Sequence, residues 1–134
     1  MNPVTCLAVV DDEASVRKAL GRLLRLADYE VLAFASGEAL LESLALRVPD
    51  CVLLDVHMPG LSGLQVQAQL RDSGVKLPVL FITATNDPEI ERNALASGGL
   101  RVLHKPFSGT DLLEAVAFAL RTGPSGQVQT DAVN

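Results

Sequence analysis

The residues able to do chemistry in this chain stand at the ends of short apolar runs. Asp11, Asp12 and Glu13 follow the run Thr5–Val10, Asp55 closes Asp50–Asp55, and Thr83 closes Pro78–Thr83. Lys105, followed by Pro106, comes directly after Leu100–His104. If those runs are strands of one open parallel sheet, their carboxyl ends share a rim, which is where such sheets bind ligands. Carboxylates crowded on a rim repel one another, and the pKa of at least one must rise unless something compensates. A divalent cation removes the conflict. Oxygen-only donors, with no His/Cys cluster at metal spacing, select a hard ion, and Mg²⁺ is the expected one. The acidic first turn also excludes a phosphate cradle, which would need bare N–H groups and small residues. A metal-neutralised carboxylate beside a lysine and a threonine suits phosphoryl transfer. Asp55 would attack phosphorus to give an acyl phosphate. Lys105 and the cation would balance charge on the transferring oxygens, while Thr83 donates a hydrogen bond to one of them.

The elements that must position these groups are legible in the periodicity. Five apolar runs, with Glu30–Phe34 as the second, alternate with segments of helical period. Most runs lack polar alternation, as expected of strands covered on both faces. Val16, Leu20, Leu23, Leu24 and Ala27 form one helical stripe. Leu40, Leu41 and Leu44 form a shorter one, Leu64, Ala68 and Leu70 a less regular one, and Leu112, Leu113, Val116, Ala117 and Leu120 a clean one. Ser36, Ser108 and Asp87 before Pro88 are expected N-caps, and Gly74 and Gly98–Gly99 expected stops. The pattern is (βα)5, an α/β fold with a parallel sheet between helical layers. Residues 122–134 (TGPSGQVQTDAVN) carry no periodicity, so a domain over 1–121 and a tail or linker over 122–134 are expected.

Composition narrows the classes further. The 134 residues suit one domain, and 49% apolar with 20% charged residues excludes a disordered or fibrous chain. A net charge of −5 argues against nucleic-acid phosphate or anionic membrane as direct partner. No apolar run approaches the length of a bilayer span, and Cys6–Val10 is too short and wrongly flanked for a signal peptide. Cys6 and Cys51 lie within apolar runs and are expected as buried free thiols rather than a disulfide. A soluble, cytoplasmic domain is the expectation.

VVDDE at 9–13, VLLDVHMPGLSG at 52–63, FITA at 81–84 and HKPF at 104–107 resemble the CheY-like receiver domain of two-component response regulators. The likeness covers about residues 4–121 and is closest in style to receivers that precede a helix-turn-helix output domain. It implies a doubly wound, flavodoxin-like sheet of order 2-1-3-4-5. It also implies phosphorylation of Asp55 by a sensor histidine kinase or phosphotransfer protein, with slow hydrolysis of the acyl phosphate, in a signalling switch rather than a turnover enzyme. Asp12 and Asp55 would bind Mg²⁺ directly, Asp11 through water and His57 through its backbone carbonyl. Thr83 and Lys105 would contact the phosphoryl group, with N–H groups near His57 and Ala84, and the Lys105–Pro106 bond would be cis. A phosphorylation-dependent homodimer is a further implied partner.

The sequence departs from that family's pattern at a few positions. Val102 stands where the family usually carries Tyr or Phe, and a β-branched side chain is stiff at χ1. His57 and Thr85, two residues past Asp55 and Thr83, line the family's route for attacking water. Arg101 replaces a common acidic residue and could alter a dimer face. Two rival readings stay open on sequence grounds. One is a scaffold that works without phosphate. The other is a metal-dependent phosphohydrolase, although His57 makes a poor general acid at neutral pH. Taken singly, Asp11–Asp12–Glu13 also suits an acidic helix start, Asp55 a turn, and His104 a strand end without a role.

Overall fold

The computed structural model describes residues 4–123. Five strands, β1 (Cys6–Val10), β2 (Glu30–Phe34), β3 (Cys51–Asp55), β4 (Val79–Thr83) and β5 (Arg101–His104), alternate with five helices. The helices are α1 (Ala14–Leu26), α2 (Gly37–Ser43), α3 (Gly63–Asp72), α4 (Pro88–Ala96) and α5 (Gly109–Thr122). All strand pairs are parallel and the order is β2-β1-β3-β4-β5. Every residue of β1, β3 and β4 is buried, whereas the two edge strands are only partly covered. That gradient explains why the three central strands read as unbroken apolar runs.

Side-chain alternation divides the core between the two faces. Leu7, Val9, Leu53, Leu80 and Ile82 pack with α1 and α5 through Leu20, Leu24, Leu112 and Val116. Ala8, Val10, Val52, Leu54 and Phe81 pack with α2, α3 and α4 through Leu40, Val66, Leu70 and Ala94. The expected caps form: Ser36, Asp87 and Ser108 each accept a backbone N–H in the first turn of their helix. Gly74 and Gly98 end their helices at positive φ.

Four details differ from expectation. In α3 the fully buried stripe is Gly63, Val66, Gln67 and Leu70, so Leu64 and Ala68 flank it rather than form it. Gln67 enters that stripe because its amide finds a backbone partner in the α3–α4 crevice. Helix α1 starts at Ala14 with no acidic residue in its first turn, so Asp11, Asp12 and Glu13 lie before it. Helix α5 continues through Thr122, one residue past the expected boundary, because the first breaker is Gly123 at positive φ. The rest of the expected tail falls outside the described residues.

Cys6 and Cys51 are free and buried on neighbouring strands. Burial pushes the Cys51 thiol up to about 12 and raises that of Cys6. Since the thiolate is the nucleophile, both should resist iodoacetamide at pH 8 in the native protein and react in denaturant. Rapid native alkylation, read by mass, would contradict this packing. Among the described residues no helix is long and apolar enough to cross a membrane.

Candidate phosphoacceptor site

The sheet order reverses direction between β1 and β3, and the carboxyl ends of those neighbouring strands deliver Asp11, Asp12 and Asp55 to one place. Carboxylate oxygens of the three lie within 4.8 Å of one another. Asp11 is fully buried, Asp55 is 5% exposed and Asp12 is exposed. This donor set fits a hard divalent ion: oxygen only, net negative, and open on the Asp12 side.

The turn after β1 is pinned from three sides. The N–H of Asp11 donates to the Phe34 carbonyl at 3.2 Å, Asp11 Oδ1 accepts the Glu13 N–H at 2.9 Å, and Arg17 Nη1 donates to the Asp11 carbonyl at 2.7 Å. On the other strand Asp55 Oδ1 accepts the His57 N–H at 3.2 Å. Beneath Asp55 the chain passes so closely that a Cβ on Gly63 would lie 2.3 Å from the Asp55 carbonyl oxygen, so only glycine fits there. Helix α3 then starts on a reciprocal capping box between Ser62 and Gln65.

Lys105 reaches the cluster from the end of β5. Its Nζ donates to Asp11 Oδ2 at 2.8 Å and to Asp55 Oδ2 at 3.5 Å, and lies 3.9 Å from Glu13 Oε1. Burial opposes the charged ammonium, but the hydrogen bond to Asp11 and the charges of Asp55 and Asp11 outweigh it and hold the lysine above its ordinary pKa. For Asp55 the balance goes the other way. Burial and then the Asp11 charge push it up to about 6, against the lowering effects of Lys105 and the His57 N–H. The conflict expected of crowded carboxylates is therefore present, and one cation on a flexible stem only partly relieves it.

Thr83, 1% exposed, ends β4 beside this group, and its carbonyl accepts the Lys105 N–H at 2.8 Å. Its hydroxyl oxygen accepts the Thr85 N–H at 3.2 Å. The Lys105–Pro106 peptide is cis, as the resemblance implied. Of the residues singled out from sequence, Asp11, Asp12, Asp55 and Lys105 converge through their side chains. Thr83 stands at the same rim, and the His57 N–H donates to Asp55 Oδ1 while the His57 side chain is exposed.

Sequence reasoning missed several supports of this rim. Arg17 has no motif visible in one sequence, and Gly63, which closes the VLLDVHMPGLSG run, gave no sign of its close approach to Asp55, although Ser-x-x-Gln at 62–65 is a capping-box signal. Arg101 lies against α5 at the surface, with its guanidinium 4.0 Å from the Phe118 ring centre and 3.8 Å from Glu114 Oε1. His104 is not idle, since its Nε2 lies 3.3 Å from Glu91 Oε1 of α4.

Comparison with known proteins places these features in context. Residues 7–117 match the family described as the response regulator receiver domain. The chain is 40% identical to Nodulation protein W of Bradyrhizobium diazoefficiens, over 83% of this chain and 49% of that protein. It is 42% identical to the transcriptional regulatory protein TdiR of Thauera aromatica, over 84% of this chain and 49% of that protein. The chain thus spans about half the length of these curated relatives. Among solved structures, a putative response regulator from Chloroflexus aurantiacus superposes with a TM-score of 0.84 at 32% identity, covering 89% of this chain and 99% of that one. FixJ-N superposes with a TM-score of 0.83 at 29% identity, covering 90% and 96%.

Proposed function

Since the chain belongs to the family of response regulator receiver domains, we propose that Asp55 accepts a phosphoryl group from a phosphohistidine and that this acyl phosphate is the signalling state. The donor is a sensor histidine kinase or a phosphotransfer protein. One observation carries the reading. A nearly buried carboxylate, raised to about 6, shares a rim with two more carboxylates and a lysine ammonium 3.5 Å away.

Above pH 6 the Asp55 carboxylate is ionised even without metal and is the nucleophile. One of its oxygens forms the new O–P bond as the P–N bond to the donor imidazole breaks, and the imidazole leaves with the bonding pair. Lys105 holds positive charge beside the transferring oxygens, and the Thr83 hydroxyl, whose proton is not used by the Thr85 N–H, is free to donate to one of them. Asp11, Asp12, Asp55 and the His57 carbonyl would hold Mg²⁺, which when bound neutralises the crowded carboxylates and the charge on the phosphoryl oxygens. Water attack on phosphorus later returns Asp55 and inorganic phosphate. That slow autophosphatase reaction ends the signal, so the domain acts as a switch rather than a turnover enzyme.

The acidic surface and the relative named as a transcriptional regulator support a cytoplasmic role in which a separate output domain, not this one, contacts DNA. Switching acts through partner binding or a phosphorylation-dependent homodimer. The domain runs through the end of α5 at Thr122, followed by a linker.

Intact-mass spectrometry tests the reading. With Mg²⁺ and a small acyl-phosphate donor, the expected result is one added phosphate per chain, and none when a chelator removes the metal. No gain in mass would favour the phosphate-independent scaffold. Rapid turnover of a generic phosphomonoester would favour the hydrolase.

A further inference from the structure

Arg17 of α1 stands beside a rim that carries Asp11, Asp12, Glu13 and Asp55, yet among the described residues it forms no ion pair with any of them. Its half-buried side chain turns instead to the main chain. Nη1 donates to the Asp11 carbonyl at 2.7 Å, while the Arg17 N–H donates to the Glu13 carbonyl at 3.0 Å. A hydrogen bond from an ionised donor at that length belongs to the strong class.

The carbonyl that Arg17 holds belongs to the peptide joining Asp11 to Asp12. A peptide unit is planar, so fixing its oxygen also fixes the direction in which the chain enters Asp12. The two other ties of this turn lie to either side of that peptide. The Asp11 N–H donates to the Phe34 carbonyl, and Asp11 Oδ1 accepts the Glu13 N–H. Neither sets the rotation of the peptide between them. Asp12 depends on that rotation more than its neighbours do. Lys105 holds the Asp11 carboxylate at 2.8 Å, and the His57 N–H and Lys105 both reach that of Asp55. Asp12 is exposed, and no donor among the described residues holds its carboxylate, although one of its oxygens lies within 4.8 Å of those of Asp11 and Asp55. Its backbone keeps it there.

We propose that Arg17 is a positioning residue for the divalent cation, holding the Asp11–Asp12 peptide so that Asp12 stays turned toward the shared site. The inference rests on the phosphoacceptor reading above. Charge alone predicts the opposite sign. A guanidinium beside a cation site repels the ion, so its removal would tighten metal binding. If the hydrogen bond orients Asp12, its loss loosens metal binding in spite of the charge removed.

The experiment uses the full chain and Mg²⁺ alone, with affinity read by titration calorimetry and by the backbone amide shifts of Asp12 and Glu13. Arg17→Met should weaken Mg²⁺ binding about tenfold, as loss of an outer partner of a metal ligand does. Arg17→Lys keeps the charge but offers a point donor in place of the planar fork, so it should recover part of that loss. Arg22→Met removes the same charge from an exposed position of α1 and should bind Mg²⁺ at least as tightly as wild type. In acyl-phosphate labelling, the Mg²⁺ needed for half the maximal rate should rise in step for Arg17→Met, with the rate at saturating Mg²⁺ within about threefold of wild type. Wild-type or tighter Mg²⁺ binding by Arg17→Met would overturn the proposal, as would labelling that stays low at saturating Mg²⁺. Arg17→Gln is read in the same way if Arg17→Met does not fold. A wild type that binds no Mg²⁺ is a different failure, because it removes the phosphoacceptor reading itself.

Discussion

Lys105→Met should destabilise the metal-free protein by about 3 kcal/mol, because it leaves a fully buried Asp11 and a nearly buried Asp55 facing each other without a counter-charge. In a domain of this size that loss corresponds to a fall of roughly 10 °C in Tm. Mg²⁺ should restore more stability to the variant than to the wild type, since the divalent ion then supplies the whole compensation that the ammonium shares in the parent. Labelling by an acyl-phosphate donor should nevertheless fall on the order of a hundredfold, because a fixed positive charge beside the transferring oxygens is lost. Calorimetry with and without metal, paired with intact-mass kinetics, separates the two effects. Unchanged stability together with unchanged labelling would mean that the 2.8 Å contact to Asp11 does not hold the rim together.

Asp55→Asn should have the opposite sign on stability and a larger effect on function. Burial and the Asp11 charge raise the Asp55 pKa from 3.8 to about 6, so the ionised form is costly in the native state and ordinary in the unfolded one. Each pKa unit corresponds to about 1.4 kcal/mol, so removing the charge should stabilise the metal-free protein by on the order of 3 kcal/mol at pH 7. The sign of the pH dependence follows. Between about 6 and 4 the native state binds the extra proton, so this group's contribution to stability increases as pH falls through that window and is least above it. The wild type should show that trend in metal-free buffer, Mg²⁺ should flatten it, and Asp55→Asn should lack it. Labelling of Asp55→Asn should be abolished, because an amide supplies no carboxylate nucleophile. Urea unfolding across pH measures the first effect. A variant less stable than its parent at pH 7 would contradict the crowding on which the mechanism depends.

The legibility of these features varied for physical reasons. β1, β3 and β4 are covered on both faces, so their apolar runs located them to within one residue. The order of the strands was a different matter. Runs that look alike carry no ranking, and 2-1-3-4-5 came only from the resemblance. The four side chains that meet at the rim were visible because chemistry restricts their types. Their internal balance was not, since the 2.8 Å and 3.5 Å distances from Lys105 depend on how deeply each aspartate is buried. Gln67 escaped because periodicity counts apolar residues, and its burial depends on a carbonyl thirty positions away. Arg17, which braces Asp11 through the backbone, escaped because any sequence can supply a carbonyl. Asp87 read as a cap from its place before Pro88, whereas the hydrogen bond from the Thr85 N–H to the Thr83 hydroxyl had no signal in the sequence.

The central claim is that phosphorus becomes bonded to a carboxylate oxygen of Asp55, and borohydride trapping tests it most directly. Reduction of an aspartyl phosphate leaves homoserine, which peptide mass spectrometry locates by residue. After labelling with Mg²⁺ and an acyl-phosphate donor, homoserine should appear at position 55, in proportion to the phosphate gained, and nowhere else. Phosphate retained on His57, or homoserine at position 11 or 12 with none at 55, would contradict the account.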